Sequence, residues 1–347
     1  MENSNLSSVL LIYTGGTIGM IQNSETGALE SFKFDKLIEN VPELKRFNYR
    51  IDSYQFSSPI DSSDIEPTAW SKLVQVINDN YDSYDGFVVL HGTDTMAYTA
   101  SALSFMLEDL HKPVVLTGSQ LPIGMLRTDG KENLITSIEI AAARNDDGTP
   151  VVPEVCIFFE NHLLRGNRTT KINAENFNAF RSYNYPPLAT AGINIKYERD
   201  RIAKPDFTKP LKPHYACDTN VIVLTLFPGL QENIIRNILN TPGLRAVVLK
   251  TYGAGNAPQK PSFIKLLREA IERGIVIVNV SQCLAGTVQM RLYETGLRLL
   301  DAGVIGGYDS TVECLLTKLM FLLGQNKSSQ EITELMKIPL AGEFTLE

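Results

Sequence analysis

Three short segments rich in threonine and glycine each follow a run of apolar residues. They are Thr14-Gly15-Gly16-Thr17, His91-Gly92-Thr93-Asp94-Thr95 and Thr117-Gly118-Ser119-Gln120. Hydroxyl groups can act as nucleophiles once a neighbouring base removes the proton, and glycines let a ligand approach the backbone closely. Amide donors at the start of a following helix suit an anion such as a carboxylate. The three loops therefore predict a site for a small anionic ligand.

Ordinary turns and helix caps use the same residues, and for any one loop this alternative stands beside the functional one. Three loops of one kind, one of them with Asp94 beside Thr93, favour a site. In an open parallel sheet, the loops at the carboxyl ends of the strands line the ligand crevice. We therefore expect the hydroxyl groups to converge on one place.

Other catalytic signatures are missing from the sequence. The segment Gly124 to Lys131 has one residue too many for a phosphate-binding GxxxxGK motif, and Gly253-Ala254-Gly255 lacks the third glycine of GxGxxG. Neither GxSxG nor HExxH occurs. The histidines show no metal-ligand spacing, so structural or surface roles are favoured for His91, His111, His162 and His214.

The composition favours a soluble chain of two domains. Its 347 residues, 44% hydrophobic and 20% charged, supply more apolar material than one core needs. The net charge of -7 comes from interspersed acids and bases, so we expect neither nucleic acid nor a membrane as partner. Four scattered cysteines without a CxxC pair, and no signal segment at the N-terminus, predict a cytoplasmic protein.

Uninterrupted apolar, β-branched runs predict parallel strands buried on both faces. They are Val9–Tyr13, Gly86–Leu90, Pro113–Leu116, Val155–Phe159, Val221–Leu226, Ala246–Leu249 and Ile275–Val280. Helical patterns lie between them, at 70–77 behind a Thr68 cap and at Ala97–Leu110, Asn133–Arg144, Phe263–Arg273 and Cys314–Leu323. Ser328 and Glu331 have the spacing of a capping box, which predicts a last helix to Lys337. This alternation predicts an α/β fold.

The pattern of strands and helices lapses between about Ile193 and Cys217. That stretch carries charged residues and the prolines Pro205, Pro210 and Pro213, a composition typical of a connection between domains. We therefore predict an N-terminal domain over residues 1–195 that carries the catalytic residues, a linker over 196–216 and a C-terminal domain over 217–347.

Taken in order, these segments resemble the bacterial-type L-asparaginases, most closely their cytoplasmic type I branch. The likeness spans nearly the whole chain, through Tyr13–Met20, Asp61–Asp64, His91–Met96, Arg165–Lys171, Tyr252–Pro258 and Ala302–Gly307. The resemblance implies a larger, flavodoxin-like N-terminal domain with a parallel sheet and a smaller α/β C-terminal domain. It also implies self-association as a homodimer or homotetramer, with an active site near a subunit interface.

Carried over position by position, the resemblance makes Thr17 the nucleophile and Thr93, Asp94 and Lys171 a second catalytic set. It gives Ser62, Ser63 and Asp94 the task of holding the α-carboxylate and α-amine of the substrate. The predicted substrate-binding residues are Gly16, Asp61, Ser62, Ser63, Thr93, Asp94 and Ser119. For Lys171 the alternative is a solvated surface lysine, and Asp94 could cap the helix that follows it.

The implied reaction splits L-asparagine into L-aspartate and ammonia, with weaker action on glutamine. Thr17 must lose its proton as it attacks the side-chain amide, and Lys171 beside Asp94 could shift that proton through Thr93. An acyl-threonine forms, ammonia leaves, and water then frees aspartate. Backbone amides of the glycine loops suit the oxyanion, a contact typically worth about 3 kcal/mol. No metal or organic cofactor is needed.

One departure from the family pattern concerns a tyrosine that many relatives carry after the first loop. The segment Ile21 to Phe34 contains none, and Ala28 stands at the expected place, although Gly27 and polar neighbours still suit a mobile lid. We predict that Tyr293 substitutes for the missing phenol, reaching in from a neighbouring subunit. The alternative is a packed helix tyrosine.

Type I relatives can also bind asparagine at a regulatory site, whose matching residues here are Thr170, Lys250, Ser281 and Cys283. Some relatives carry arginine where Lys250 stands. Lysine lacks the two-pronged fork with which arginine binds a carboxylate. A sigmoidal dependence of velocity on asparagine would support this regulatory site, and a hyperbolic dependence would count against it.

Three alternatives stay open beside an asparaginase. The amidase subunit that supplies ammonia for glutaminyl-tRNA synthesis shares these loops, but it carries an additional N-terminal domain, and only thirteen residues precede Thr14 here. Glutamine as the preferred substrate is harder to exclude, because one methylene changes discrimination by only about 1–3 kcal/mol. A non-catalytic amino-acid sensor would keep the fold without turnover, although the other catalytic positions are present.

Overall fold

The computed structural model describes residues 6–22, 29–31 and 41–346. Its contacts divide the chain into two units, Met1–Tyr215 and Ala216–Glu347. Each unit has its own apolar core around a sheet in which parallel pairing dominates. This arrangement confirms the predicted α/β fold with a larger and a smaller sheet.

The first unit contains the larger sheet and three short strand pairs outside it. Its strands are β1 Ser8–Tyr13, β2 Met20–Gln22, β3 Leu29–Ser31, β4 Arg50–Gln55, β5 Gly86–Leu90, β6 Leu107–Glu108, β7 Val114–Thr117, β8 Val155–Phe159, β9 His162–Arg165, β10 Thr170–Lys171, β11 Phe180–Arg181, β12 Ala189–Ala191, β13 Ile195–Tyr197 and β14 Lys212–Pro213. Across the described residues, eight of them form one sheet in the order β13-β12-β9-β8-β7-β5-β1-β4. Pairing is parallel from β4 to β8 and antiparallel from β8 to β13. Three short antiparallel pairs, β2-β3, β6-β14 and β10-β11, lie outside it.

Helices cover the parallel part of this sheet, which explains why its inner strands β1, β5, β7 and β8 are unbroken apolar runs. The edge strand β4 is polar, and none of its residues is buried. They are α1 Pro67–Asp79, α2 Met96–Met106 and α3 Gly130–Ala142, with short 3-10 turns at Thr17–Gly19, Pro42–Arg46, Ser62–Asp64 and Gly166–Arg168. Helix α3 packs against β5 and β7, and α2 packs against β8 and the turn that follows β9. Every residue of β1, β5, β7 and β8 is buried.

The second unit repeats the layered plan on a smaller scale. Its strands, β15 Val221–Thr225, β16 Ala246–Thr251, β17 Val276–Ser281 and β18 Ile305–Gly306, pair in parallel and in sequence order. Its helices are α4 Glu232–Leu239, α5 Pro261–Glu272, α6 Glu294–Asp301, α7 Val312–Gly324 and α8 Ser329–Leu335. Ser328 and Glu331 bond reciprocally at the start of α8, as the capping box predicts.

Several helix ends differ from the sequence-based expectation, and two of the differences have a clear structural cause. Thr68 does not cap the first helix: α1 begins one residue earlier, at Pro67, because proline is preorganised for the first helical position, and Glu66 precedes it. The helix expected to reach Leu110 ends at Met106. The backbone of the next two residues, in β6, pairs instead with β14.

The segment 196–216, predicted as a linker, falls almost entirely within the first unit. Strand β13 enters it from the edge of the main sheet, and β14 pairs with β6. The His214 amide donates to Met106 O at 2.8 Å, which ties the end of the segment to α2.

The register of the central strands sets the position of the three threonine-glycine loops. Tyr13 lies opposite Leu90, and Leu90 lies opposite Thr117, so β1, β5 and β7 end at one level. Beyond that level the Thr14 amide donates to Leu90 O at 3.0 Å, and the His91 amide donates to Thr117 O at 2.9 Å. The three loops therefore leave the same edge of the sheet side by side.

In the second unit, the C-terminal segment is fixed by an ion pair with no solvent exposure. Lys318 Nζ lies 2.6 Å from Glu343 Oε1, and both side chains are 0% exposed. Lys318 also donates to Ile338 O at 2.7 Å, while the carboxylate accepts from the amides of Leu340 and Ala341 at 3.1 and 2.8 Å. Both charges are thus neutralised and hydrogen-bonded, which a buried pair requires.

Replacing one partner of this pair should destabilise the second unit strongly. We expect Lys318→Met to lower the free energy of unfolding by about 3–5 kcal/mol, because it leaves a buried carboxylate without its cation. Lys337→Met is the matched control, because Lys337 and Glu334 form an exposed pair and its loss should cost less than about 1 kcal/mol. Urea unfolding of the three proteins measures both values, and equal losses in the two variants would contradict the prediction.

Candidate functional site

The first two loops approach each other backbone to backbone. Gly16 has φ of 91°, and a Cβ there would overlap the backbone of Gly92. Thr14 donates through its hydroxyl to Leu90 O at 3.0 Å, and the Tyr13 hydroxyl donates to Gly19 O at 3.2 Å. Only a glycine at position 16 allows this close approach to Gly92 and also adopts the positive φ without strain.

Thr17 begins the 3-10 turn directly after Gly16. Its side chain is half-buried, whereas the next residue, Ile18, is fully buried in the core of the first unit. The contact between Gly16 and Gly92 therefore holds the predicted nucleophile beside the loop that contains Thr93. Part of Thr17 therefore remains accessible to solvent.

The turn Ser62–Asp64 also packs against Gly92. A Cβ on Gly92 would overlap the side chain of Ser62, and the Thr95 hydroxyl donates to Ser62 O at 2.6 Å. Asp61 Oδ1 accepts from both the amide and the hydroxyl of Ser63, each at 2.9 Å. Asp61 thus orders the turn and fixes the direction of the Ser63 hydroxyl.

Lys171, distant in sequence, meets the second loop. Its Nζ lies 2.8 Å from Thr93 Oγ1 and 2.6 Å from Asp94 Oδ1. The Lys171 side chain is 17% exposed and the Asp94 side chain 64% exposed. Lys171 is therefore not the solvated surface lysine that was its alternative, and Asp94 pairs with it; α2 begins after Thr95 without a side-chain cap.

A buried ion pair fixes the chain just before Lys171. Arg165 Nε lies 2.6 Å from Glu154 Oε2, and each side chain is 10% exposed. Arg165 also stacks over the ring of Tyr185, with 4.5 Å between its guanidinium carbon and the ring centroid. The Thr169 hydroxyl donates to Arg165 O at 2.7 Å, which links this anchor to β10 and hence to Lys171.

His91 is wholly buried, and the hydrogen bonds of its ring hold the second loop in place. Trp70 Nε1 donates to Thr99 Oγ1 at 3.0 Å, Thr99 Oγ1 lies 2.9 Å from His91 Nε2, and His91 Nδ1 lies 2.7 Å from Gly92 O. A carbonyl can only accept, so Nδ1–H donates to Gly92 O; Nε2 of the neutral ring is then an acceptor, and the Thr99 hydroxyl donates to it. Burial lowers the pKa of His91 to about 4, which keeps the ring neutral.

The third loop is held by Asp129, whose carboxylate accepts from the Gln120 amide at 3.0 and 3.1 Å and from the Leu121 amide at 3.2 Å. Burial raises the pKa of Asp129. Gln120 Oε1 in turn accepts from Thr93 Oγ1 at 3.2 Å, which joins the third loop to the second. Ser119 is 2% exposed, and its hydroxyl has no hydrogen-bond partner among the residues that the structure describes.

Sequence analysis did not select Gln120, Asp129 or His91 for the site. Gln120 and His91 stand inside the quoted loops, so their position was visible, but nothing in the loop sequences showed where their side chains point. Asp129 precedes Asn133 by four residues, and Asn133 donates to Gly118 O at 3.0 Å. Two polar residues four positions apart at the start of a helix were the one signal in the sequence that pointed to Asp129.

The remaining predicted residues lie mostly in the second unit. Lys250 is half-buried in β16, Ser281 ends β17 and donates to Gly253 O at 2.6 Å, and the Cys283 amide donates to Ser281 Oγ at 3.0 Å. Thr170, in β10, belongs to the first unit. Tyr293 directly precedes α6 and is 52% exposed, so it is not the packed helix tyrosine of the alternative prediction.

The lid prediction largely falls outside the described residues, which omit 23–28, with Gly27 and Ala28, and 32–40. Within the described ranges, no group of three His, Cys, Asp or Glu side chains is arranged to hold a metal ion. Over the same part of the chain, none of the helices has both the length and the apolar character needed to cross a membrane.

Two family models match the chain: the asparaginase N-terminal domain over residues 8–203 and the glutaminase/asparaginase C-terminal domain over residues 220–336. L-asparaginase 1 of Escherichia coli K12 is 46% identical over 97% of this chain and 98% of its own length. The 60 kDa lysophospholipase of Mus musculus is 42% identical over 97% of this chain but only 62% of its own.

Among solved structures, L-asparaginase I of Vibrio cholerae superimposes with a TM-score of 0.89 at 43% identity. The match covers 98% of this chain and 100% of that one. The two family models together span nearly the whole chain, and the relatives agree with the resemblance seen in the sequence. The chain therefore belongs to the asparaginase family.

Proposed function

We propose that this protein is an L-asparaginase that hydrolyses L-asparagine to L-aspartate and ammonia. The observation that carries the proposal is the contact of Lys171 with both Thr93 and Asp94, beside the loop that contains Thr17. A lysine that is mostly shielded from water and bonded to a hydroxyl can take part in proton transfer, unlike a solvated one. Family membership supplies the prior for this chemistry.

In the proposed mechanism, Thr17 Oγ1 attacks the side-chain amide carbon of asparagine. The hydroxyl proton of Thr17 is taken up by the Thr93–Lys171 pair and is delivered to the leaving nitrogen, so ammonia departs and an acyl-threonine remains. Water then attacks this ester and gives its proton to the same pair, which passes it to Thr17 Oγ1 as the ester bond breaks, so aspartate is freed and Thr17 is restored. These steps need neither a metal nor an organic cofactor.

The proposed substrate contacts follow from the hydrogen-bond directions in the site. The Ser63 hydroxyl donates to Asp61, so its oxygen remains an acceptor and suits the α-ammonium group. Asp94 is largely exposed and can bind the same group while it contacts Lys171. Ser119 offers a buried hydroxyl without a described partner, the kind of group that a ligand satisfies.

We infer that the protein forms homodimers or homotetramers, because the family resemblance implies them. In such an oligomer Tyr293 would come from a neighbouring subunit. We infer a cytoplasmic location because Cys156, Cys217, Cys283 and Cys314 are widely spaced and form no CxxC pair.

Ammonia release from asparagine and from glutamine tests the proposed function. We expect the wild-type protein to act on both, with the higher kcat/KM for asparagine. Thr17→Ala and Lys171→Met should each lower kcat by at least about a thousandfold, because members of one catalytic unit fail together. Thr68→Ala is the matched control, since Thr68 is exposed in the first turn of α1, and it should keep full activity.

Two results would overturn this proposal. Binding of asparagine without ammonia release from the wild-type protein would favour the sensor hypothesis. Full activity in Thr17→Ala would show that Thr17 is not the nucleophile.

The Tyr293 prediction has a test of its own. If the phenol assists the nucleophile, Tyr293→Phe should lower kcat at least tenfold and leave KM nearly unchanged, because only the hydroxyl is removed. Tyr215→Phe, which removes another exposed phenol, is the control. A Tyr293→Phe enzyme with full turnover would refute the role.

Regulation by asparagine would show in the shape of the velocity curve. We expect a sigmoidal dependence on asparagine, a steeper curve in Lys250→Arg and a hyperbolic curve in Lys250→Met, because the regulatory carboxylate needs a cation. Initial rates over a wide range of asparagine concentrations provide the measurement. A hyperbolic curve for the wild-type protein would rule the regulatory site out.

A further inference from the structure

The side chain of Gln120 links Thr93 to the hairpin that carries Lys171. Its Oε1 lies 3.2 Å from Thr93 Oγ1, and its Nε2 donates to Asn176 O at 3.2 Å. Asn176 lies between β10 and β11, in the hairpin whose first strand carries Lys171. One carboxamide thus bridges the hydroxyl of Thr93 and the segment that positions the lysine.

The orientation of this carboxamide is determined by its second partner. Asn176 O is a backbone carbonyl, which can only accept, so the NH2 group of Gln120 must face it. The carbonyl oxygen of Gln120 then faces Thr93, and the Thr93 hydroxyl has to donate to it. Thr93 is left with lone pairs towards Lys171, so Lys171 is the donor in their 2.8 Å hydrogen bond.

We propose that Gln120 is a positioning residue that turns the Thr93 hydroxyl hydrogen away from Lys171 and ties Thr93 to the Lys171 hairpin. The inference rests on the proposed function, in which a proton passes between Thr93 and Lys171. While the hydrogen is held by Gln120, a neutral amine at Lys171 gains no hydrogen bond from Thr93. Gln120 therefore keeps Lys171 as the hydrogen-bond donor to Thr93 and holds the pair aligned for substrate.

The backbone of Gln120 is itself fixed. Its amide donates to both oxygens of Asp129. Gln120 is thus held by its main chain at one end and by Asn176 at the other, which gives the side chain little freedom to turn. The charged groups around the bridge are Asp94 on Lys171, Asp129 under the Gln120 backbone, and Glu175 next to Asn176 in sequence.

Two substitutions at Gln120 should move the pH dependence of kcat in opposite directions. Gln120→Met removes the acceptor, so Thr93 becomes free to donate to a neutral Lys171, and the rise of kcat with pH should shift down by about half to one pH unit. Gln120→Glu keeps an acceptor for Thr93 and adds a negative charge near the ammonium group, so the rise should shift up. Both variants lose the bond to Asn176 and should show a kcat lowered about tenfold, with KM within about twofold of wild type.

A merely structural glutamine would give a different result. Gln325→Met is the matched control, because Gln325 donates to the backbone carbonyls of Ala216 and Phe321 in the second unit, and it should leave the pH profile unchanged. Thermal unfolding of all variants shows whether a loss of kcat reflects a loss of fold. Shifts in the same direction for Gln120→Met and Gln120→Glu, or no shift in either, would overturn the inference.

A second measurement does not require turnover. The rate of Lys171 acetylation by acetic anhydride, followed against pH by peptide mass spectrometry, should move with the same opposite signs in the two variants. If the wild-type protein released no ammonia, the proposed function would fail, yet opposite shifts in acetylation would still support the bridge. Identical acetylation profiles in all three proteins would refute it.

Discussion

The site depends on one constraint, the common register of three neighbouring parallel strands. Because β1, β5 and β7 end at the same level, the backbone amide after each of the first two strands is bound by the next strand's last carbonyl. The loops that follow have little space between them, and glycines at Gly16 and Gly92 let their backbones meet. The geometry of the sheet therefore brings the hydroxyl groups on these loops together without help from side-chain interactions.

Lys171 reaches this edge by a different route. It lies on a short strand outside the main sheet, and its approach is set by the Arg165–Glu154 pair, the ring of Tyr185 and the Thr169 hydroxyl. A shielded ammonium group loses hydration, and the nearby carboxylate of Asp94 compensates part of that loss. Rigid support for a cation is more demanding than support for a neutral side chain, which accounts for the density of polar contacts in this part of the first unit.

Much of the fold could be predicted from the sequence because buried parallel strands have a distinctive apolar pattern. The run Gly86–Leu90 became β5 with the same bounds, and the capping box at Ser328 is formed. Helix ends were less predictable: Pro67 moved the start of α1, and pairing with β14 shortened α2. Such outcomes depend on partners distant in the chain, which local patterns do not reveal.

The candidate site was predictable in its motifs but not in its connections. Resemblance selected Thr93, Asp94 and Lys171, which the structure brings into contact, whereas the roles of these residues remain predictions. The bridge made by Gln120 and the single hydrogen-bond pattern that fits His91 depend on which atom faces which carbonyl. No spacing rule carries that information, because it arises only when two or three loops meet.

The buried pair of Lys318 and Glu343 has a consequence for synthesis on the ribosome. The described contacts that build the first unit lie within its own part of the chain, so that unit can fold while the remainder is still being made. The second unit cannot complete its core before Glu343 has been made, since that carboxylate neutralises Lys318 and follows it in the chain. Until then, burial of the Lys318 side chain would leave its charge uncompensated, so α7 can pack its inner face fully only after Glu343 has left the ribosome.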